Sequence, residues 1–310
     1  MMRTMQIIEQ STTFRLSGRT AVAIGKFDGV HLGHQALIHR IIEQKDRGLL
    51  ATVFTFDTSA SAFFGGEEKE LTTRAEKREI FRQMGVDVLI EFPLNQTTAA
   101  TEPEEFVHRY VAKQMQAAYI CAGPDLSFGK RGAGNYALLA HYAEAYDYQV
   151  ELIDKVLLDG EAVSSTRVRD AVRRGEMETV SRMLGTPYSV TGRVEHGKKL
   201  GRRIGMPTAN LLPEHDKLLP PNGVYYSRVI TEDGEYKGIS NVGCKPTVSD
   251  ENVMGVETYL YGFTGTIYGK TISVQLLSFR RPEQRFDSVE SLKAQLAQDI
   301  AAGENFVYFL

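Results

Sequence analysis

The sequence predicts two domains of different class: an α/β domain with a mostly parallel, Rossmann-like sheet over residues 1–184, then an antiparallel β-barrel with a C-terminal helix over residues 185–310. Three observations carry this expectation. The chain has 310 residues, past the roughly 250–300 at which one hydrophobic core stops growing. Between residues 20 and 153 short apolar runs alternate with helical periodicity. After about residue 184 that rhythm gives way to strand-like runs separated by Gly, Pro, Asp and Asn.

In the first half the candidate strands are 21–25, 50–56, 86–91, 118–122 and 149–153. Amphipathic stretches lie between them. Leu37, Ile38, Ile41 and Ile42 share one face of such a stretch, with Glu43, Lys45 and Asp46 on the other. A repeated βα pattern implies a parallel sheet covered by helices, with ligands bound beyond the carboxyl ends of the strands. In the second half the runs are 189–196, 223–231, 235–242, 255–262 and 270–279, and Asp233-Gly234 signals a hairpin. Such spacing reads as a barrel. Residues 288–302 place Val289, Leu292, Leu296 and Ile300 at helical spacing, so one helix should pack against it through them. The linker is expected near Gly185-Thr186-Pro187.

Composition narrows the function. With 42% hydrophobic and 24% charged residues the chain can bury two cores. A net charge of -3 leaves no basic excess for a phosphate backbone, so no nucleic-acid partner is expected. Cys121 and Cys244 stand far apart outside any Cys-x-x-Cys spacing, which reads as two buried thiols rather than a disulfide or zinc site. Glu9, Arg15 and Arg19 interrupt the first twenty residues, so neither a signal peptide nor a membrane span is expected, and the location implied is cytoplasmic. A monomer or weak homo-oligomer is expected.

The first constellation follows the first run: Gly25-Lys26-Phe27-Asp28-Gly29-Val30-His31-Leu32-Gly33-His34, then a helix. Glycines let a nucleotide approach the backbone, and a helix N-terminus offers free amides and a partial positive charge, so an anion site is expected. His31 and His34 stand three apart and can point to one side of the first turn, where imidazoles would stabilise charge on a phosphate in flight. On spacing alone a capping or surface role, or a two-His metal site, stays open. Ser164-Ser165-Thr166-Arg167 precedes another helical stretch and reads either as a capped helix or as a phosphate-binding segment. Gly123-Pro124-Asp125-Leu126-Ser127-Phe128-Gly129-Lys130 reads as a turn or a ligand loop.

The second constellation is a basic, glycine-rich run: His196-Gly197-Lys198-Lys199-Leu200-Gly201-Arg202-Arg203-Ile204-Gly205-Met206-Pro207-Thr208-Ala209-Asn210. Its amides could wrap phosphates, or it could be a solvated hairpin tip. Pro221-Asn222-Gly223-Val224-Tyr225 and Asn241-Val242-Gly243-Cys244-Lys245-Pro246-Thr247 follow. Glu257 is a carboxylate inside an apolar run, either a functional group or a salt-bridged edge residue.

Taken together, these motifs resemble the bifunctional riboflavin kinase/FMN adenylyltransferases, the prokaryotic FAD synthetase family, over nearly the whole chain. The resemblance implies an α/β nucleotidyltransferase domain followed by a riboflavin kinase barrel, with ATP as co-substrate of both, Mg²⁺ as cofactor, and riboflavin and FMN as substrates. His31 and His34 would bind the ATP phosphates and the transition state for adenylyl transfer, with Gly25, Phe27, Asp28, Gly29 and Gly33 around the nucleotide. Ser164, Ser165, Thr166 and Arg167 would hold the phosphates that leave, and Asp125 and Phe128 would contact flavin and nucleotide. In the barrel, Gly197, Gly201, Arg202, Gly205 and Pro207 would form the ATP loop, Thr208 and Asn210 would hold Mg²⁺, Glu257 would be the general base, and Arg281 would touch flavin. The chain departs from the pattern at Thr58-Ser59-Ala60, where the family commonly has Pro-His-Pro, and at Leu126 and Met206. That leaves two rivals: a riboflavin kinase with an impaired adenylyltransferase half, and a flavin-binding regulator without turnover. A nucleotidyltransferase for another cofactor would explain the first half only.

Overall fold

The computed structural model describes residues 4–58, 63, 65–66, 68–196, 206–246 and 252–307. The chain divides into two compact units, Met1–Ser165 and Thr166–Leu310.

The first unit is built on a six-stranded sheet of β1 (Gln6–Glu9), β2 (Thr20–Ile24), β3 (Leu50–Phe56), β4 (Val88–Phe92), β5 (Ala117–Ala122) and β6 (Gln149–Leu152). Its order is β1-β4-β3-β2-β5-β6, and every pairing is parallel. The four central strands, β2 to β5, are buried on both faces, so they read as continuous apolar runs. Val22, Ile24, Phe54 and Ile120 enter one core, whereas Ala21, Ala23, Val53 and Cys121 enter the other. The helix Leu32–Glu43 covers the second face through Leu37, Ile38 and Ile41. The helix Arg74–Met84 starts at a capping box, in which Thr73 and Glu76 each satisfy the other's backbone N–H. Its Arg74 and Arg78 clip onto the ends of β1 and β4: Glu91, 3% exposed, accepts from Arg74 Nε at 2.7 Å and Arg78 Nε at 2.9 Å. A short antiparallel pair, β7 (Leu157–Leu158) and β8 (Glu161–Ala162), follows the sheet.

Going from β2, the chain adds β3 and β4 on one side and then crosses to place β5 on the other. The carboxyl end of β2 is thus the switch point, where a doubly wound sheet opens a crevice for ligands. The loop that leaves it is Gly25–His31.

The helix Ser165–Arg174 starts at the last residue of the first unit and runs into the second, which also carries the helix Met177–Leu184, ended by Gly185 in the left-handed region at φ 71. A closed antiparallel barrel follows: β9 (Tyr188–Glu195), β10 (Thr208–Leu211), β11 (Gly223–Thr231), β12 (Gly234–Pro246), β13 (Asn252–Leu260) and β14 (Thr271–Pro282), in the order β10-β13-β12-β11-β14-β9. Thr231 pairs with Gly234 in the hairpin expected there. Inside the barrel Ser227, Ser240 and Thr258 are buried, and their hydroxyls join at 2.7 Å and 2.7 Å. Each thereby meets the hydrogen-bonding need that burial imposes.

The helix Val289–Asn305 is present, with Leu292, Leu296 and Ile300 of the expected face half-buried and only its first residue, Val289, departing from it. Val289 is 53% exposed at its start, while Asp299 and Gly303 are its buried residues. For Asp299 the cause is β14. Between Val224 and Tyr225 of β11 the register with β14 slips, from Arg281 to Phe279, so Arg280 is an extra, bulged residue. Two consecutive guanidiniums then converge on Asp299. A second correction concerns the thiols: Cys121 is buried, but Cys244 is exposed beside the Met254 sulfur, its register partner across β12 and β13.

Candidate active sites

At the carboxyl end of β2 the backbone is held in an unusual shape. Phe27, Gly29 and Val30 adopt φ values of 52, 82 and 43. A left-handed conformation costs little for Gly29 but is strained for a bulky Phe27 and a β-branched Val30. Neighbouring residues over-determine it. Asp28 Oδ1 accepts from the amides of Leu71 at 2.8 Å and Thr72 at 3.2 Å, and the Gly29 amide donates to Thr72 Oγ1 at 3.0 Å. Phe27 is fully buried against Phe81.

This loop delivers His31 as the N-cap of the helix Leu32–Glu43, with Nδ1 accepting from the His34 amide. A neutral ring whose Nδ1 accepts carries its proton on Nε2. The two imidazoles stack with centroids 3.8 Å apart, and the second lies edge-on to Phe27 at 5.1 Å. Gly33 leaves the stack room: a Cβ there would stand 3.1 Å from His31 Cε1 and 3.2 Å from its Nδ1, so the ring would have to give. Burial pushes His31 down to about 4, and burial, with the positive charges of His31 and Lys77, pushes His34 well below the usual histidine range. Both rings are therefore neutral at pH 7. His34 Nδ1 has no hydrogen-bond partner among the described residues.

Ser165 donates its hydroxyl to the Asp28 carbonyl at 2.9 Å, so the expected phosphate segment starts on the histidine loop. Ser164 is half-buried, Thr166 is exposed, and Arg167 is half-buried in the first turn of the helix that follows. Asp125 is exposed and pairs with Lys155 at 2.8 Å, and Phe128, 3% exposed, packs in the core against Phe106 with centroids 5.0 Å apart. Gly25 sits under the Phe27 ring. The sequence reading missed Thr72, which ties two loops together, although the Thr-x-x-Glu capping signature beside it marked the spot.

In the barrel, burial alternates along β13: Val256, Thr258 and Leu260 are buried inward, and Glu257 and Tyr259 face outward. On β10, Ala209 and Leu211 point in and Thr208 and Asn210 point out. Register places Asn210 opposite Glu257 on one side and Asn241 opposite it on the other. Thr208 Oγ1 donates to Glu257 Oε1. Threonine, asparagine and carboxylate thus share one outer face, with hard oxygens that suit Mg²⁺. Pro207 leads into β10, whereas Gly197, Gly201, Arg202 and Gly205 lie outside the described residues. Arg281 gives Nε and Nη2 to Asp299 and Nη1 to the Pro282 carbonyl.

A doubly wound sheet with a strained histidine loop at its switch point, joined to a barrel with an outward carboxylate flanked by hydroxyl and amide oxygens, marks the class of a phosphate-transferring enzyme with two candidate sites. Comparison with known proteins sharpens this class. The FAD synthetase family model matches residues 14–167, and the riboflavin kinase family model matches residues 184–307. Relatives described as bifunctional riboflavin kinase/FMN adenylyltransferases include one from Listeria monocytogenes, 36% identical over 90% of this chain and 89% of its own length. Another, from Pseudomonas fluorescens, is 34% identical over 96% of each chain. Among solved structures, one described as a macrolide-efflux protein from Streptococcus pneumoniae superposes with a TM-score of 0.85 at 29% identity, covering 97% of this chain and 99% of that one. The chain belongs to the bifunctional riboflavin kinase/FMN adenylyltransferase family. Among the described residues no helix is long and apolar enough to cross a membrane.

Proposed function

We propose that the chain makes FAD in two transfers, with residues 185–310 phosphorylating riboflavin and residues 1–184 adenylylating the FMN produced. The observation that carries the first assignment is the outward row of Thr208, Asn210 and Glu257. Glu257 accepts the proton of the ribityl terminal hydroxyl as its oxygen attacks the γ phosphorus of ATP, which releases ADP. The Thr208 hydroxyl, donating to Glu257, orients the carboxylate and keeps its own lone pairs open. Mg²⁺, held through the Thr208 and Asn210 oxygens, would neutralise phosphate charge.

In the second transfer an FMN phosphate oxygen attacks the α phosphorus of ATP and pyrophosphate leaves, with no covalent enzyme intermediate. The neutral His31 ring donates from Nε2, and the loop amides with the Leu32–Glu43 N-terminus add partial positive charge, so donors are aimed before charge develops. Ser164, Ser165, Thr166 and Arg167 bind the departing phosphates in this reading, and Asp125, Phe128 and Arg281 shape the flavin sides of the two sites.

A chromatographic time course with riboflavin, ATP and Mg²⁺ tests both halves. FMN should appear first and FAD later. Glu257→Gln should abolish FMN formation while still converting supplied FMN to FAD; full kinase turnover in that variant sinks the base assignment. FMN without FAD from the unaltered chain refutes the adenylyltransferase half.

A further inference from the structure

Glu283 lies just beyond β14 and belongs to none of the groups assigned so far. One of its carboxylate oxygens accepts from Asn222 Nδ2 at 3.0 Å and the other from Asn241 Nδ2 at 3.2 Å. The carboxylate rests on backbone with no side chain to displace it: a Cβ on Gly243 would stand 2.0 Å from Oε1, and the register partner of Gly243 is a second glycine, Gly255. Asn241 is the register partner of Glu257, so this contact is made one strand away from the proposed base and on the same outer face.

Each oxygen of an ionised carboxylate accepts and neither donates. Glu283 therefore turns both amides the same way, with their NH₂ groups toward itself and their carbonyl oxygens away. We propose that Glu283 is a positioning residue for the kinase step: it fixes Asn241 as a hydrogen-bond acceptor beside Glu257, with Asn222 held on its other carboxylate oxygen, for a substrate whose reacting end is a chain of hydroxyls. The proposal rests on the kinase reading of the barrel. A solvated carboxylate hydrogen-bonded to two amides is also what an ordinary loop anchor looks like, and the two roles differ in what a neutral isostere does. Glutamine keeps the shape and one acceptor but makes the other position a donor, so one amide loses its orientation while the loop keeps a contact.

The test compares Glu283→Gln with the unaltered chain, each with and without Asn241→Ala, measuring riboflavin phosphorylation and, separately, FAD formation from supplied FMN. Glu283→Gln should lower kcat/KM for riboflavin by about tenfold, the worth of one oriented hydrogen bond. FAD formation should be unchanged, and the effect should largely vanish on the Asn241→Ala background, since residues acting through one another are not additive. Kinase activity within about twofold of the unaltered chain overturns the proposal. So does an equal loss on both backgrounds, or a parallel loss of both activities. An unaltered chain that makes no FMN refutes the kinase reading itself, and the proposal with it.

Discussion

Removing the Asp299 carboxylate should release the C-terminal helix from the barrel. Asp299 is 2% exposed and accepts from Arg280 Nε at 2.9 Å, Arg281 Nε at 3.1 Å, Arg281 Nη2 at 2.5 Å and Gln295 Nε2 at 3.2 Å. Although burial opposes its ionisation, the Arg281 and Arg280 guanidiniums hold its pKa below the usual carboxylate value. Breaking a buried pair by deleting one partner costs about 3–5 kcal/mol. The two arginine side chains keep 23% and 15% of their exposure, and water there softens the loss, so the lower end, about 3 kcal/mol, applies to Asp299→Ala. Asn with its amide oxygen in the Oδ1 place keeps three of these contacts but loses the charge and the Arg281 Nη2 contact, and should cost about 2 kcal/mol. The chain contains no tryptophan, so the assay of choice is amide hydrogen exchange on peptides from 289–305, with peptides from Met1–Ser165 as the internal control. A loss of about 3 kcal/mol corresponds to exchange faster by about a hundredfold in the helix. If the helix exchanges within about twofold of the unaltered protein, the clamp contributes nothing and the reasoning fails.

Two further outcomes follow from the histidine loop. Gly33→Ala gains helix propensity of up to about 1 kcal/mol but drives a methyl against the His31 ring 3.1 Å away; FAD formation should fall at least about tenfold at unchanged thermal stability and unchanged kinase rate, and unchanged FAD formation would show that the stack is dispensable. His31 titrates at about 4 instead of 6.5 because it is buried, so the unfolded chain takes up its proton first as pH falls; stability present above pH 6.5 is lost through that window, by about 3 kcal/mol at about 1.4 kcal/mol per pH unit. His31→Asn keeps an N-cap and should make the urea-midpoint dependence between pH 7 and 4.5 shallower, with the share of buried His34 remaining, whereas an equally steep dependence would clear His31 of responsibility.

The α/β strands of the first unit and the long barrel strands were readable because burial imposes a pattern on each. β1 and β10 escaped for opposite reasons. Gln6–Glu9 is a four-residue edge strand with too little sequence to show a period. Thr208–Leu211 has the right alternation, but it follows the glycine-rich run and reads as the end of a phosphate loop with two Mg²⁺ ligands rather than as a strand, although it pairs with both β9 and β13 to close the barrel. The histidine loop was legible as a motif; its left-handed Phe27 and Val30 were not, because nothing local asks for them and Asp28 reaches forward to Leu71 and Thr72 to impose them. Asp299 did leave a trace. It stands seven residues after Leu292 on the same helical stripe, and a carboxylate on an apolar stripe asks for a partner, here supplied by a strand bulge that spacing does not reveal.

The groups proposed for the kinase step face out of the barrel, whose inside is already satisfied. Side chains alternate with period two, so a slip of one residue in β13 would turn Glu257 into the core and bring Val256 and Thr258 out. Hydrophobic burial alone penalises that slip weakly at Thr258, whose methyl is small. The hydroxyl chain from Ser227 through Ser240 to Thr258 adds to the penalty, since Thr258 would lose its buried hydroxyl partner at about 1–3 kcal/mol while Ser227 and Ser240 keep each other. On this argument the polar thread in the core secures the register on which Glu257 and Asn210 depend. Thr258→Val, nearly isosteric, then becomes informative: it should lower kinase activity through register while leaving the apolar area buried nearly constant, and a variant with normal kinase activity would show that the Thr208–Glu257 contact and the strand pairs hold the register alone.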